Sequence, residues 1–290
     1  MSYKFQYPKP IDKSLFSNSK PGEPLYGLPK EVKFCKSCVI SNQRPSSTIE
    51  FKNDGKAKKE VIIFDSNNIC DACKVKDIKN KIDWKQRESE LFEICKKYRK
   101  NDGSYDCLVP GSGGKDSFMQ AHLLKYKYGM NPLTCTWAPH IYTDWGWKNH
   151  QSWIHAGFDN ILFTPNGKVH RLLTRLAVEN LFHPFQPFIL GQKNLSAKVA
   201  YQHDIQLIFY GENEAEYGFN KSSMNSSQRS LDFFTSSDSS DIYLGGTSIE
   251  DLKDLSLKSV DLKPYMPIEP EKIKEKNIQV HYLGYFEKWH

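Results

Sequence analysis

The stretch Pro110-Gly-Ser-Gly-Gly-Lys-Asp-Ser117 indicates the fold, because it separates an apolar run from an amphipathic one. Residues 105–109 before it have the composition of a buried strand, and residues 116–128 after it have helical spacing. Adjacent glycines let the backbone curl with its N–H groups turned inward, and a helix that starts there adds its positive dipole end. We therefore predict an anion-binding turn between a strand and a helix.

The polar residues of this turn are predicted to bind the phosphates of a nucleotide. Backbone N–H groups, hydroxyl donors and one mobile positive charge would come from Ser112, Gly113, Gly114, Lys115 and Ser117. Asp116 cannot bind a bare anion, so its presence suggests a bridging Mg²⁺. The pattern is not the Walker A sequence GxxxxGK[ST]. A tight turn that merely ends a strand is the alternative.

From residue 104 onwards, short apolar runs alternate with amphipathic stretches. Further strands are predicted at 132–137, 160–163, 205–210 and 278–285. Helices are predicted at 82–100, 146–157, 168–181 and 195–203, with a short apolar segment at 187–190. Strands that alternate with helices indicate a parallel sheet covered on both faces, so the predicted fold class is α/β.

Two CxxC pairs, Cys35/Cys38 and Cys70/Cys73, are separated by 31 residues. Four thiolates in such pairs suit a tetrahedral Zn²⁺, and the strand-like run 60–64 between them favours a zinc ribbon. An iron–sulfur cluster and unligated thiols are the alternatives. Because four cysteines leave no open coordination position, we expect the zinc to be structural.

Two acidic residues, Glu212 and Glu214, follow the predicted strand 205–210 directly. In open α/β sheets, ligands bind beyond the carboxyl ends of the strands. Carboxylates there can hold Mg²⁺, orient the acceptor or take a proton, so both are candidate catalytic residues. A solvated acidic turn is the alternative. The stretch 191–194, after the segment 187–190, is a weaker candidate of the same kind.

Composition describes an ordinary globular protein, with 26% charged and 39% hydrophobic residues. No run approaches the roughly 18 apolar residues of a membrane span, and residues 1–20 lack a signal-peptide core, so we expect no membrane partner and a cytoplasmic location. The first 100 residues hold 22 Lys and Arg against 13 Asp and Glu. This basic region faces nucleic acid, anionic sugar nucleotides or only solvent.

The hexapeptide Ser112-Gly-Gly-Lys-Asp-Ser117 resembles the SGGxDS signature of the PP-loop ATP pyrophosphatase superfamily. The resemblance implies an adenine nucleotide alpha hydrolase-like domain that uses ATP and releases pyrophosphate. It implies that the β- and γ-phosphates rest on the loop while the α-phosphorus stays open to attack. Lys115 and Asp116 are then the expected catalytic residues of the loop. The resemblance also puts Trp137 near adenine, with a buried core tryptophan as the alternative.

Longer stretches resemble one branch of that superfamily, the bacterial N-acetyl sugar amidotransferases of the PseA/WbpG type. Beyond the loop and the cysteine pairs, they are Thr136-Trp-Ala-Pro139, Gly157-Phe-Asp-Asn-Ile161, Thr164-Pro-Asn-Gly-Lys-Val-His-Arg171, Pro184-Phe-Gln-Pro187, Gly211-Glu-Asn213 and Tyr282-Leu-Gly-Tyr-Phe286. The resemblance implies conversion of a sugar acetamido group to an acetamidino group through an adenylated imidate. Such enzymes serve pseudaminic or legionaminic acid pathways, flagellin glycosylation and lipopolysaccharide O-antigen synthesis.

The same resemblance implies the partners and the domain organisation. The substrate is a sugar or nucleotide sugar, and ammonia comes from separate subunits like the glutaminase and cyclase of imidazole-glycerol-phosphate synthase. The predicted segments are an extended arm (1–30), the zinc ribbon (31–80), a connecting helix (81–103) and the PP-loop domain (104–290). Because related chains continue further, a C-terminal truncation is also expected.

A tRNA-modifying, thiolase-like PP-loop enzyme is the alternative function. A zinc ribbon in a basic N-terminal region would suit RNA. However, no CxxC pair follows the loop, and Cys107 lies within the first predicted strand. We therefore do not expect a nucleic-acid partner.

Overall fold

The computed structural model describes residues 24–46, 48–56, 58–211 and 226–288. Most of the predicted arm, and both Glu212 and Glu214, lie outside the described residues. The helices are α1 Asp71–Lys79, α2 Trp84–Tyr98, α3 Lys115–His122, α4 Asp144–His155, α5 Gly167–Leu181, α6 Gln186–Gln202, α7 Ile249–Asp254, α8 Ser259–Leu262, α9 Pro270–Glu275 and α10 Leu283–Phe286. The strands are β1 Cys107–Pro110, β2 Pro132–Trp137, β3 Asp159–Phe163, β4 Leu207–Tyr210, β5 Tyr243–Leu244, β6 Thr247–Ser248 and β7 Gln279–Tyr282.

Five strands form one sheet in the order β3-β2-β1-β4-β7, and every neighbouring pair is parallel. The predicted α/β class with a parallel sheet is therefore confirmed. β1 lies in the centre, with Leu108 beside Leu133 of β2 and Ile208 of β4. The strands β5 and β6 form a separate antiparallel pair.

The two faces of the sheet are buried against different helices. Cys107 and Val109 of β1 belong to an apolar cluster that includes residues of α2, α3 and α4. Leu108 belongs to a second cluster, which includes residues of α5, α6 and α9. Because side chains alternate across a strand, β1 is buried on both faces, as its unbroken apolar composition predicts.

The segment 187–203 differs from its prediction, because one helix, α6, replaces a short apolar segment and a separate helix. Gly191 lies between the two predicted segments. In the structure it lies inside α6, where a β-carbon would come within 2.2 Å of the Trp137 indole. The glycine permits close packing of α6 on β2 instead of ending a helix. The stretch 191–194 is therefore mid-helix and does not follow a strand.

Two predicted strands are also wrong in part. The run 60–64 forms only isolated bridges, Val61 with Pro45 and Phe64 with Cys70, so the described residues between the cysteine pairs form no regular ribbon strand. The last predicted strand, 278–285, ends at Tyr282, and the chain continues as the helical turn α10. Both runs are apolar because they are partly buried, and burial alone does not specify a strand.

Among the described helices, none combines the length and the apolar composition that crossing a bilayer requires.

Candidate functional site

The sheet has a switch point between β1 and β4. From β1 the chain passes through α3 to β2 and through α4 to β3, with both helices on one face. It then returns through α5 and α6 on the opposite face to β4, on the other side of β1. In open parallel sheets, ligands bind in the crevice outside the carboxyl ends of the two strands where the order reverses. Residues 111–114, which follow β1, and Gly211, which follows β4, border that crevice.

The glycine turn, residues 111–114, follows β1 at this crevice and leads directly into α3. Gly113 is buried and has a φ of +82°, which L side chains rarely adopt. A β-carbon there would lie 2.7 Å from the Asn149 carbonyl oxygen and 2.8 Å from the His150 Cα. The backbone of α4 therefore packs directly on the turn, and only glycine fits.

The glycine turn offers a matched pair of substitutions. We expect Gly113→Ala to lower the free energy of unfolding by about 2 to 4 kcal/mol, from the positive φ and the backbone clash. Gly114 has a φ of −66°, and a β-carbon there meets nothing closer than the Ser112 hydroxyl oxygen at 3.6 Å. Gly114→Ala should therefore cost no more than about 1 kcal/mol. Denaturant unfolding of both variants checks this, and equal losses would contradict the described turn.

The charged residues of the site begin α3. The Lys115 ammonium lies 2.6 Å from an oxygen of Asp116, and their side chains are 79% and 40% exposed. An ion pair this exposed is worth little, so it fixes neither group in place. The first turn of a helix also leaves N–H groups without an intrahelical partner, and the dipole there favours anions. A bound anion could contact the Lys115 ammonium, and a cation bound with it could contact the Asp116 carboxylate.

The two serines of the predicted site differ in their surroundings. Ser112 is exposed in the glycine turn, whereas Ser117 is 8% exposed and donates its hydroxyl to the Gly114 carbonyl at 3.2 Å. Ser117 closes the turn, and its hydroxyl must rotate before it can donate to a ligand. A turn with buried glycine, exposed hydroxyl, lysine and carboxylate fits the donor set that a phosphate chain with Mg²⁺ requires.

Trp137 lies at the end of β2 and is 3% exposed. Its ring stacks on Phe163 of β3 with 4.8 Å between centroids, and Tyr265 meets it edge-on at 5.3 Å. Of the two interpretations made from the sequence, this geometry favours the core tryptophan. The indole Nε1 is buried and has no hydrogen-bond partner among the described residues.

Three aromatic side chains beside Trp137 form a hydrogen-bonded chain that sequence reasoning missed. The Tyr265 hydroxyl lies 2.9 Å from His170 Nδ1, and His170 Nε2 lies 2.9 Å from His140 Nδ1. Tyr265 and His170 are buried, while His140, three residues after β2, is exposed. No sequence signal joins residues 95 positions apart, so only the fold reveals the contact.

Arg229 is a second residue that the sequence did not indicate. Its guanidinium lies 4.7 Å from the centre of the Phe233 ring and 5.5 Å from that of Tyr210, the last residue of β4. It also lies 5.6 Å from the ring of Tyr282, which ends β7. A cation is therefore present at the carboxyl ends of β4 and β7, packed among aromatic rings.

The four cysteines Cys35, Cys38, Cys70 and Cys73 come together, with all four sulfur atoms within 4.8 Å of one another. Two cross-pair distances are 3.9 Å (Cys35 to Cys73) and 3.4 Å (Cys38 to Cys70). A tetrahedral zinc with bonds of about 2.3 Å holds its sulfurs about 3.8 Å apart. The cluster therefore fits a metal such as zinc.

The local backbone supports a thiolate at Cys35, whereas burial raises the pKa of Cys70 to about 12. Cys70 precedes α1 and Cys73 lies in its first turn, where the helix dipole favours negative charge. Burial alone would raise the pKa of the Cys35 thiol, but backbone N–H groups donate to its sulfur and lower that pKa to about 6. The N–H groups of Ser37 and Cys70 lie 3.4 and 3.3 Å from this sulfur. Such N–H to sulfur bonds stabilise a metal-bound thiolate.

The remaining cysteines, Cys95, Cys107 and Cys135, are buried in the two apolar clusters. Burial raises the pKa of Cys95 and of Cys135 to about 12, and raises that of Cys107 well above its ordinary value. These thiols stay protonated and enclosed at neutral pH, so they are poor nucleophiles.

Comparison with known proteins adds little to this description. No family model matches the chain. A stretch of 75 residues is 35% identical to an uncharacterized protein, MJ1599, of Methanocaldococcus jannaschii. It covers 26% of this chain and 27% of that protein, so the similarity spans about a quarter of either and assigns no function.

The fold and the site together define an α/β protein with a five-stranded parallel sheet and a glycine turn at its switch point. It also carries a four-cysteine cluster that can hold a metal such as zinc.

Proposed function

We propose that this protein is an ATP-dependent enzyme that transfers AMP to an oxygen atom of its substrate and releases pyrophosphate. The observation that carries the proposal is the glycine turn, which joins β1 to α3 beside the switch point of the sheet. The second support is its sequence, which resembles the PP-loop signature of enzymes that form AMP and pyrophosphate. The unusually close packing of α4 on Gly113 explains why glycine is needed there.

The residues of the turn suit the departure of pyrophosphate. Negative charge grows on the leaving phosphates as the bond to the α-phosphorus breaks. N–H groups of the turn would stabilise that charge because their dipoles are already in place, and the exposed Lys115 ammonium would move onto the phosphates. Asp116 would hold Mg²⁺, which neutralises phosphate oxygens when bound. The exposed Lys115–Asp116 pair separates at little cost when ligands replace it.

The substrate class follows from the resemblance to N-acetyl sugar amidotransferases. The acetamido oxygen of the sugar attacks the α-phosphorus of ATP, the bond to pyrophosphate breaks, and an adenylated imidate forms. Ammonia then adds to the imidate carbon, and AMP leaves with the former amide oxygen. One ammonia proton is released, and the sugar keeps an acetamidinium group. The product belongs to the surface glycans for which such enzymes work.

Ammonia is the second substrate, and we propose that a separate glutaminase supplies it. The three buried thiols, Cys95, Cys107 and Cys135, are protonated and enclosed, so none is suited to attack glutamine. The partner delivers ammonia and shields it from water. It takes no part in the chemistry on the sugar.

The experiment that tests this function replaces the partner with ammonium salts. With ATP, Mg²⁺, high ammonium and an N-acetyl sugar, the purified chain should form the acetamidino sugar, with AMP and pyrophosphate in equal amounts. Mass spectrometry follows the sugar and the AMP, and glutamine in place of ammonium should give no product. Turnover with glutamine alone would contradict the need for a partner. Sulfur transfer to tRNA would replace the sugar substrate with the alternative from the sequence.

The four-cysteine cluster completes the proposal as a structural zinc site. Four thiolates fill a tetrahedral coordination shell, so no position remains for water or substrate. The second CxxC pair lies in the loop and helix that connect to α2, and α2 packs against the sheet. We propose that zinc fixes this N-terminal region and takes no part in AMP transfer.

A further inference from the structure

The hydrogen-bonded chain Tyr265–His170–His140 has two possible directions. Each histidine carries one ring proton when neutral, and each of the two contacts needs one proton. In the first arrangement, the Tyr265 hydroxyl donates to His170 Nδ1, and His170 Nε2–H donates to His140 Nδ1. The His140 proton is then on Nε2, at the exposed end of the chain. In the second arrangement, every bond is reversed and His140 Nε2 presents a lone pair.

Burial of the phenol favours the first arrangement. Tyr265 is 1% exposed, and burial raises the pKa of its hydroxyl above the ordinary range. In the reversed chain the phenol oxygen would accept from His170, and its O–H would have to find another acceptor in the core. An unsatisfied buried donor costs about 1 to 3 kcal/mol. The first arrangement has no such penalty.

The two histidines of the chain are favoured in their neutral forms. Burial lowers the pKa of His140, and a backbone hydrogen bond to Pro184 offsets only part of that shift. Burial also lowers the pKa of His170, to about 4. Protonation of His140 and His170 would reverse the hydrogen bonds and leave the Tyr265 hydroxyl without its acceptor.

From this geometry we propose that His140 is a neutral hydrogen-bond donor to the molecule bound in the crevice, held in that tautomer by His170 and Tyr265. The proposal rests on the proposed function, because it assumes that a nucleotide and an acetamido substrate meet there. His140 lies just beyond the end of β2, the strand next to β1 and its glycine turn. A ligand at this edge of the sheet would accept a hydrogen bond from the proton on His140 Nε2, at the exposed end of the chain.

The surroundings of His140 indicate the chemistry of the ligand. The ring lies 6.0 Å from that of Phe185 and 5.7 Å from that of Phe188, and it stacks on His170 at 4.6 Å. A neutral N–H among aromatic rings suits a neutral, planar group with an acceptor atom better than it suits a phosphate. A purine ring nitrogen of the nucleotide and the acetamido carbonyl of the second substrate share this chemistry.

The tautomer itself can be measured on the full chain. Imidazole ¹⁵N shifts distinguish protonated from unprotonated ring nitrogens, and His140→Gln assigns the signal among the nine histidines. We expect a protonated Nε2 and an unprotonated Nδ1 at His140. Tyr265→Phe removes the hydroxyl that sets the direction, so both tautomers should become populated. An unprotonated Nε2 at His140 in the wild type would overturn the proposal.

Binding measurements then test the donor. His140→Phe should lower the affinity for the ligand that His140 contacts roughly five- to tenfold. His140→Gln keeps an N–H donor, so it should retain part of that affinity. The probes are Mg·ATP, inorganic tripolyphosphate, which lacks the base, and N-acetylglucosamine in the AMP-forming assay with ammonium. His155→Phe is the matched control, because His155 is also an exposed histidine but is the last residue of α4 and lies outside the hydrogen-bonded chain.

The outcomes separate the sources of the acceptor. Weaker ATP binding with unchanged tripolyphosphate binding assigns His140 to the base, and a raised KM for the sugar with unchanged ATP binding assigns it to the acetamido group. Either result supports the proposal. Unchanged ATP affinity together with an unchanged KM for the sugar overturns it. Loss of tripolyphosphate affinity equal to the loss of ATP affinity overturns it as well. If the wild-type chain itself binds no ATP, the proposed function fails first and this inference fails with it.

Discussion

Asp116→Ala should reduce ATP-dependent release of AMP and pyrophosphate by on the order of a thousandfold, and Lys115→Ala should have an effect of similar size. Both side chains begin α3 at the glycine turn, where charge grows on the departing phosphates. Their loss removes electrostatic stabilisation that water does not replace. Single-turnover assays with radiolabelled ATP would measure the loss directly.

The fold should survive both substitutions. The Lys115–Asp116 pair is exposed, so its contribution to stability is within about 1 kcal/mol. Asp116→Asn keeps the shape of the side chain and removes its charge, so it should lose activity as Asp116→Ala does. Asp254→Ala, on the exposed end of α7, is the control for removing a surface carboxylate. Wild-type rates in the Lys115 and Asp116 variants would refute the assignment of the turn as the reaction site.

The sheet was predictable because its central strands are short, mostly apolar and bounded by glycine, proline or charge. Residues 132–137 were predicted as a strand, and β2 has the same limits. Such local patterns suffice where a strand is buried on both faces. The four-cysteine cluster was predictable for a related reason, since each CxxC pair places two thiolates on one short turn.

Segments whose conformation depends on distant partners were not predictable in the same way. Gly191 was predicted to lie between a short apolar segment and a helix, yet it lies inside α6 and contacts Trp137, 54 positions earlier. The run 60–64 looks like a strand, but its partners, Pro45 and Cys70, each pair with only one of its residues. Tertiary contacts decide these positions, and no local pattern encodes them.

The candidate site likewise has one part that is local in sequence and one part that depends on distant contacts. The glycine turn is local in sequence, and its strand–turn–helix context was predicted. By contrast, the His140–His170–Tyr265 chain joins the end of β2, the first turn of α5 and the 3₁₀ turn Lys263–Tyr265. No local sequence pattern links these three residues. Only the packing of α5 and this turn beside β2 gives the chain a direction and an exposed end.

Cys70→Ser should abolish zinc binding and unfold the region around the cluster. Metal binding in such sites contributes about 10 to 16 kcal/mol and is coupled to folding. The buried apolar cluster at this site contains only Cys35, Ile62 and Cys70 among the described residues, so packing cannot replace the metal. Elemental analysis should give one zinc per wild-type chain and none in the variant, with new protease cleavage within residues 31–80.

The position of the cluster decides how far this damage spreads. The sheet has its own two apolar clusters, to which the cysteine ligands do not belong, so its unfolding transition should remain cooperative in Cys70→Ser. Cys95→Ala, which alters a buried thiol outside the cluster, is the matched control and should keep its zinc. Iron with sulfide in the wild type would contradict the zinc assignment. Zinc retained by Cys70→Ser would exclude Cys70 as a ligand, whereas a variant without zinc but with an unchanged cleavage pattern would show that the metal does not hold this region together.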